Sequence, residues 1–383
     1  MMKLALILCL LVLPACAEQY KMAVVSLMHA HVWLHLGTML KGDKVKLVGI
    51  AETRPELLQR ALRTDVIPQT DNVTRPGVPE NLVFADWKKM IDETKPDIVW
   101  AFTETNRHLE VVEYCASRGI HVMVEKPLAA TYQEAMAIQR LARKHNIQVL
   151  TNYGSTWNGS IYAMKDLVDA GAIGKVFRMK ATAGHNGPGD PRRSSFAAWL
   201  ADPVQNGGGA LMDFGCYSVL WATWLKGRPE SVYATALHMR PEMFPKVEDH
   251  ATIILNYPDG TAIFEASWSL PPRAPSGNEL YGTAGSIVLG RSIEVRKTGA
   301  QPAAGTRGRS APEIVEAAPL PPERSEPIAY MVDRLTRKQP VDGLSGLDLN
   351  VTVNEVLEAA KLSIKTGRSV PLPLNLEHSS KPN

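Results

Sequence analysis

Three side chains offer most of the chemistry in this sequence, and Lys126 is the first. An apolar run, Val122–Val124, breaks into Glu125-Lys126-Pro127. Pro127 has no N–H and steers the residue before it away from helical angles. The pattern predicts a strand that ends with Lys126 held extended at its carboxyl tip. In open α/β sheets that is the edge where ligands bind. A solvated lysine in an ordinary strand-to-helix turn is the plain alternative. The other two are Asp213 and Tyr217. Gly207-Gly208-Gly209 precede a stretch to Leu225 that is apolar nearly all round, hence a buried helix. Asp213 and Tyr217 lie one helical turn apart and share a face. A buried carboxylate and phenol need partners, and the Lys126 ammonium is one. A helix N-terminal acid and a core aromatic would read the same way.

A second set of polar residues clusters at the ends of other apolar runs. After Ala23-Val24-Val25, a G-x-G-x-x-G phosphate turn would place glycines where Ser26, Met28 and His31 stand. Met28 would put a side chain where phosphates approach. Either the loop binds a pyrophosphate by a wider path, through a helix N-terminus and hydroxyl or imidazole donors, or nucleotide binding has been lost. His29, His31 and His35 crowd the same loop, with His31 and His35 facing one way on a helix. No carboxylate or cysteine lies beside them in sequence, so phosphate or substrate contact is expected and a metal site is not. Glu52, after Gly49-Ile50-Ala51, suits the ribose hydroxyls of an adenosine, and it would repel the 2′-phosphate that Arg54 could attract. Thr103, Asn106 and His108 follow the Ile98–Phe102 run on the same edge, where Asn106 could equally cap a helix.

The elements that must position these groups are legible in the patterning. From Lys21 to Leu150 short apolar runs alternate with amphipathic stretches such as 106–117 and 132–145. That argues for a doubly wound parallel sheet of nucleotide-binding type over residues 18–152. Residues 65–80 read as a polar surface loop. Beyond residue 153 the runs 176–182, 231–237, 252–257, 261–269 and 286–289 alternate, with an Asp-Gly hairpin signal at Asp259-Gly260. A second α/β domain with a large, mostly antiparallel sheet is expected over 153–374, followed by a tail, 375–383. Residues 296–327 read as extended, and helices are expected at 328–337 and 347–366. The basic start, apolar 4–13 and Ala15-Cys16-Ala17 resemble an export signal over 1–17, with lipidation at Cys16 as the rival reading. A net charge of +3 leaves no footprint for nucleic acid. Cys115 and Cys216 in the mature chain make no disulfide framework.

Glu125-Lys126-Pro127, the Gly207–Tyr217 segment and the two-domain order together resemble the Gfo/Idh/MocA family, from about Lys21 to Leu374. The resemblance implies a Rossmann domain, a nicotinamide cofactor, and hydride transfer between that cofactor and a sugar or polyol carbon. It makes Lys126 and Asp213 the matching active-site positions, with Tyr217 where many relatives carry histidine. The roles expected are Tyr217 as acid/base with its pKa lowered by Lys126, Lys126 polarising the hydroxyl, and Asp213 orienting substrate or lysine. Cofactor contacts are expected from Ser26, Met28, His29, His31, Glu52, Thr103, Asn106, His108, Glu125 and Lys126. Substrate contacts are expected from His185, Asn186, Arg193 and Trp199. NAD is favoured over NADP and, in an exported protein, should be tightly held. A redox-neutral glycosidase and a silent sugar-binding protein are the alternative functions. A homo-oligomer with a small carbohydrate substrate and no membrane span is expected.

Overall fold

The computed structural model describes residues 19–67, 73–272, 274, 277–299 and 311–375. The expected export signal, Cys16 and the tail beyond Asn375 lie outside the described residues. The first half contains β1 (Lys21–Val25), α1 (Val32–Lys41), β2 (Lys46–Ala51), α2 (Pro55–Leu62), β3 (Asp65–Ile67), β4 (Val73–Arg75) and β5 (Val83–Phe84). It continues through α3 (Trp87–Thr94), β6 (Ile98–Ala101), α4 (His108–Ala116), β7 (His121–Glu125), α5 (Tyr132–His145) and β8 (Val149–Asn152). Six of these strands pair in parallel in the order β5-β2-β1-β6-β7-β8. The order reverses between β1 and β6, and the crevice beyond their carboxyl ends is where such sheets bind ligands. The central strands are apolar on both faces because helices cover both. Thr131 and Glu134 close a capping box on α5, so the segment after Lys126 starts a helix at a defined residue.

Residues 65–80 are not simply a polar loop. They include the hairpin β3–β4, and the buried Arg75 guanidinium donates to the carbonyls of Arg60, Ala61 and Pro76. Those bonds explain how a charged residue is tolerated there.

The second half adds α6 (Gly159–Asp169), β9 (Val176–Gly184), α7 (Ser195–Leu200), a π-helical turn (Leu211–Gly215), α8 (Cys216–Lys226), β10 (Ser231–Leu237), β11 (His250–Tyr257) and β12 (Gly260–Ser267). β13 (Gly277–Gly282), β14 (Gly285–Leu289), β15 (Ile293–Lys297) and β16 (Glu313–Val315) follow. The chain ends through α9 (Pro327–Thr336), α10 (Leu347–Thr366) and β17 (Val370–Pro371). Nine strands form one sheet, antiparallel except for β9 beside β12. Its inner face packs on α8 and α10 around Leu220, Phe264 and Leu357. Within 296–327, β16 (Glu313–Val315) is a strand that pairs with Ile293–Val295 of β15, just ahead of the segment.

The division near residue 153 separates the two sheets but not the two cores. Ile328, Tyr330 and Met331 of α9 return to pack with Val24, Leu36 and Trp100 of the first domain. Amphipathic periodicity marks α9 as a helix without saying which core receives it. Among the described residues no helix is long and apolar enough to cross a membrane.

Candidate active site

The tip of β7 and the start of the buried helix meet at one point. Asn354 of α10 donates to the carbonyl of Ala129 at 2.6 Å, and Lys361 donates to that of Ala130 at 3.1 Å. Gly207 has φ +87°, and a Cβ there would lie 2.3 Å from the Ala130 carbonyl oxygen. Gly209 passes closer still to the carbonyl of Glu248, whose carboxylate caps the Gly209 and Leu211 amides. Two of the three glycines therefore let this turn approach backbone that any side chain would hold away. The π-helical turn replaces the regular helix that periodicity suggests, and it is short and of a kind found at functional sites.

Lys126 Nζ donates to Asp213 Oδ1 in a short ion pair and to the Asp213 carbonyl at 3.1 Å. The other carboxylate oxygen accepts the Trp268 indole N–H at 2.8 Å. Burial opposes charge on both partners, but each ion outweighs it for the other. Lys126 is held above the usual ammonium range and Asp213 below the usual carboxylate range. The pair stays ionised at neutral pH, so Lys126 is a permanent donor rather than a base. The Lys126 ammonium lies over the Tyr217 ring, with 5.4 Å from Nζ to the ring centroid. Burial pushes its phenol well above 10, and the Lys126 charge offsets only part of that rise. The expected lowering of the Tyr217 pKa is therefore corrected: the group is a neutral phenol, suited to donate a proton.

A cavity of about 250 Å³ opens onto these groups, lined also by His29, His31 and His185, with Phe196 and Phe214 as apolar walls. Burial lowers the His185 pKa, so its imidazole is neutral near pH 7. Its Nδ1 accepts the Gly187 N–H at 2.8 Å, which leaves the proton on Nε2. Asn186 and Arg193 do not line this cavity. Asn186 uses its carbonyl to accept Arg240, and Arg193 is exposed beside Asp190. Trp199 is core, packed with Met28, Phe244 and Trp268. The structure does not bring these three expected substrate contacts into the cavity lining, and charge and aromaticity in a loop do not reveal which way it faces.

Three observations bear on whether a nicotinamide dinucleotide fits the crevice. Ser26 has φ +68°, so the left-handed turn that a first glycine supplies is kept without one. Met28, expected to obstruct the phosphates, is 5% exposed and turns into the cluster with Trp199 and Trp268. Along the β6–α4 segment, Asn106 Oδ1, Glu104 Oε2 and His108 Nε2 are buried without hydrogen-bond partners. Three unmet acceptors in a row suit the hydroxyls of a ribose and the N–H₂ of a carboxamide. The residues fit. Asn106 caps nothing, since α4 begins after Arg107 with no side-chain cap. Thr103 is buried and donates to the Glu104 carbonyl.

Glu52 differs from expectation. Its Oε2 accepts Leu27 N–H and the Ser26 hydroxyl, and its Oε1 accepts Thr53 N–H, Arg54 N–H and the Arg54 guanidinium. These donors overcome burial and hold the carboxyl below the ordinary range. A ribose hydroxyl would have to replace one of them. Arg54 is pinned between Glu52 and Glu104, at 3.1 and 2.7 Å.

The loop histidines divide. His31 and His35 do not act as a pair. His35 packs 4.7 Å from Trp100, and burial pushes its pKa down to about 4. His31 Nδ1 instead meets Glu125 Oε2 at 2.8 Å, and His29 Nδ1 lies 4.0 Å from the same oxygen. Sequence reasoning placed Glu125 among the cofactor contacts but missed it as a partner of His31, and missed Trp268 as a partner of Asp213. A buried tryptophan N–H that must find an acceptor was the one available signal for Trp268.

Residues 26–153 match the family described as "Oxidoreductase family, NAD-binding Rossmann fold", and residues 161–288 match "GFO/IDH/MocA C-terminal domain". The chain belongs to the Gfo/Idh/MocA family. It is 27% identical over 266 residues to levoglucosan dehydrogenase of Pseudarthrobacter phenanthrenivorans, covering 63% of this chain and 64% of that protein. It is 25% identical over 288 residues to D-apiose dehydrogenase of Rhizobium rhizogenes, covering 72% and 79%. The crystal structure of aldose-aldose oxidoreductase from Caulobacter crescentus, complexed with glycerol, superposes with a TM-score of 0.73 at 22% identity, covering 93% of this chain and 100% of that one. The chain spans between about half and two thirds of the length of the first curated relatives it matches.

Proposed function

We propose that this family member is an exported, NAD-dependent oxidoreductase that transfers hydride between nicotinamide and a hydroxyl-bearing carbon of a sugar or polyol. The observation that carries the reading is the buried Lys126–Asp213 pair at the tip of β7, opening onto a cavity lined by three histidines beside the dinucleotide crevice. The relatives named for levoglucosan and D-apiose support a sugar as the substrate class. Bound in the crevice, nicotinamide supplies the hydride acceptor or donor. The chain's own residues do the rest. Lys126 holds the reacting oxygen and favours its alkoxide form. Tyr217, as a neutral phenol, donates the proton when a carbonyl is reduced, and the phenolate left by that donation takes the hydroxyl proton when the next sugar is oxidised. Asp213, locked by Trp268, orients Lys126. His185 donates from Nε2 to a further hydroxyl.

NAD is favoured over NADP because two carboxylates neutralise Arg54, the residue placed to attract a 2′-phosphate. The apolar 4–13 stretch and Ala15-Cys16-Ala17 support export. Outside the cytoplasm, tightly held nucleotide recycled by a second sugar is the consistent arrangement. The test is a panel of aldoses, anhydrosugars and polyols offered to purified protein with NAD, followed by nicotinamide absorbance. Reduction by at least one sugar is expected. Failure of every member, with no nucleotide bound, would leave only a sugar-binding role.

A further inference from the structure

Glu125 is fully buried, and among the described residues no lysine or arginine pairs with it. Its neighbour in sequence, Lys126, is already committed to Asp213. A buried carboxylate needs a compensating cation, and the groups that face this one are imidazoles. One nitrogen each from His29 and His31 and one Glu125 oxygen lie within 4.8 Å of one another. The far side of the carboxylate is fixed as well. Glu125 Oε1 accepts Asn152 Nδ2 at 2.9 Å, and Asn152 Oδ1 accepts the Trp157 indole N–H at 2.8 Å. Such an outer relay aims a ligating carboxylate and sets its rotamer.

We propose that His29, His31 and Glu125 bind a divalent first-row transition ion. Two imidazoles and one carboxylate are a donor set that zinc, manganese and iron accept with positions left open. Metal–ligand bonds of about 2.0–2.1 Å set neighbouring donors roughly 3.3 Å apart. The His31–Glu125 pair is already within that spacing, and His29 reaches it by a small ring rotation. The rotation gives up the 3.3 Å bond by which His29 Nδ1 accepts the His31 amide. His29 and His31 line the same cavity as Lys126 and Asp213, so an ion held by them would lie at the wall of the space that holds the reacting groups. It would there take an oxygen of the cavity's occupant, such as one arm of a vicinal diol or hydroxy ketone. Only the identity of that oxygen rests on the redox reading. The ion site itself does not.

The test uses untagged full chain stripped with chelator and titrated with Zn²⁺ by calorimetry, without nucleotide or sugar. One ion per chain is expected, with binding at least about 100-fold weaker in Glu125→Gln and in His31→Ala. Binding in His35→Asn should be unchanged, since His35 packs against Trp100. Should the first two variants fail to fold, Co²⁺ added to the stripped wild-type protein decides. Visible ligand-field absorption at one equivalent supports the site, and its absence overturns it. Binding that survives Glu125→Gln, or no stoichiometric binding to wild type, also overturns it. Zinc binding without any nicotinamide affinity would keep this site and remove the redox reading, and the reverse outcome would do the opposite.

Discussion

The two ends of the crevice are built on opposite principles. At the β7 end, charges from two domains are brought into contact and nearly every lone pair is used. Lys126, Asp213 and Trp268 form a closed set, fixed from behind by α10 and by glycines that press backbone on backbone. At the β1 end the residues that would hold phosphates and ribose are busy with each other, as in Glu52 with Leu27 and Arg54. Between them, Glu104, Asn106 and His108 carry unmet acceptors along the β6–α4 segment. The first end is pre-organised for chemistry. The second keeps its backbone turn while exchanging glycine chemistry for side-chain chemistry. Preorganisation at the reacting oxygen is where transition-state stabilisation is gained, so mutations should be far costlier at the first end.

Lys126→Met should give the largest effect. Turnover falls by about 10³-fold or more, because the alkoxide loses its cation. Thermal stability falls too, by about 3–5 kcal/mol, because Asp213 is left buried and unpaired. Adding Asp213→Asn should restore the melting temperature but not the turnover, which separates folding from chemistry. Equal losses at both ends would break the comparison. Trp268→Phe comes next. It removes one donor to Asp213, costing about 1.5–3 kcal/mol, with kcat falling roughly tenfold as Lys126 loses its fixed partner.

At the opposite end, Glu104→Gln should release Arg54 from one of its two carboxylates. The ratio of kcat/KM for NADP over NAD should rise about fivefold, equivalent to about 1 kcal/mol. No change would mean that Arg54 does not face the ribose. The smallest effect is expected in pH dependence. Burial pushes His108 down to about 4 and holds His29 well below its ordinary value, so both are neutral when folded and protonate more readily when unfolded. Their contribution is complete above about pH 6.5 and is lost as pH falls toward their folded values. Asp213, Glu125 and Glu52 are held low, so their contribution disappears only below the ordinary carboxylate range. The melting temperature should therefore decline in two stages on acidification, and His108→Asn should flatten the first.

Much of this arrangement was legible before any coordinates. Strand runs bounded by turn residues located every strand of the parallel sheet, and Pro127 marked the tip where Lys126 stands. The Lys126–Asp213 partnership followed from the need of buried charges for one another. What stayed hidden depends on direction rather than type. Met28 reads as an obstruction because sequence cannot say that its side chain turns toward the second domain. His31 finds Glu125 across 94 positions, a contact that no local spacing encodes. Tyr217 shows the limit of charge reasoning. Proximity to an ammonium was anticipated, but burial outweighs the charge.

The central claim is that hydride crosses between a sugar carbon and nicotinamide under the control of Lys126. The most direct measurement is isotope transfer, using a sugar substrate deuterated at its carbinol carbons, a single turnover with NAD, and mass analysis of the released nucleotide. Deuterium on the nicotinamide ring with wild-type protein, and none with Lys126→Met despite retained nucleotide binding, is the predicted result. Unlabelled nucleotide from folded wild-type protein that binds both ligands would contradict the account.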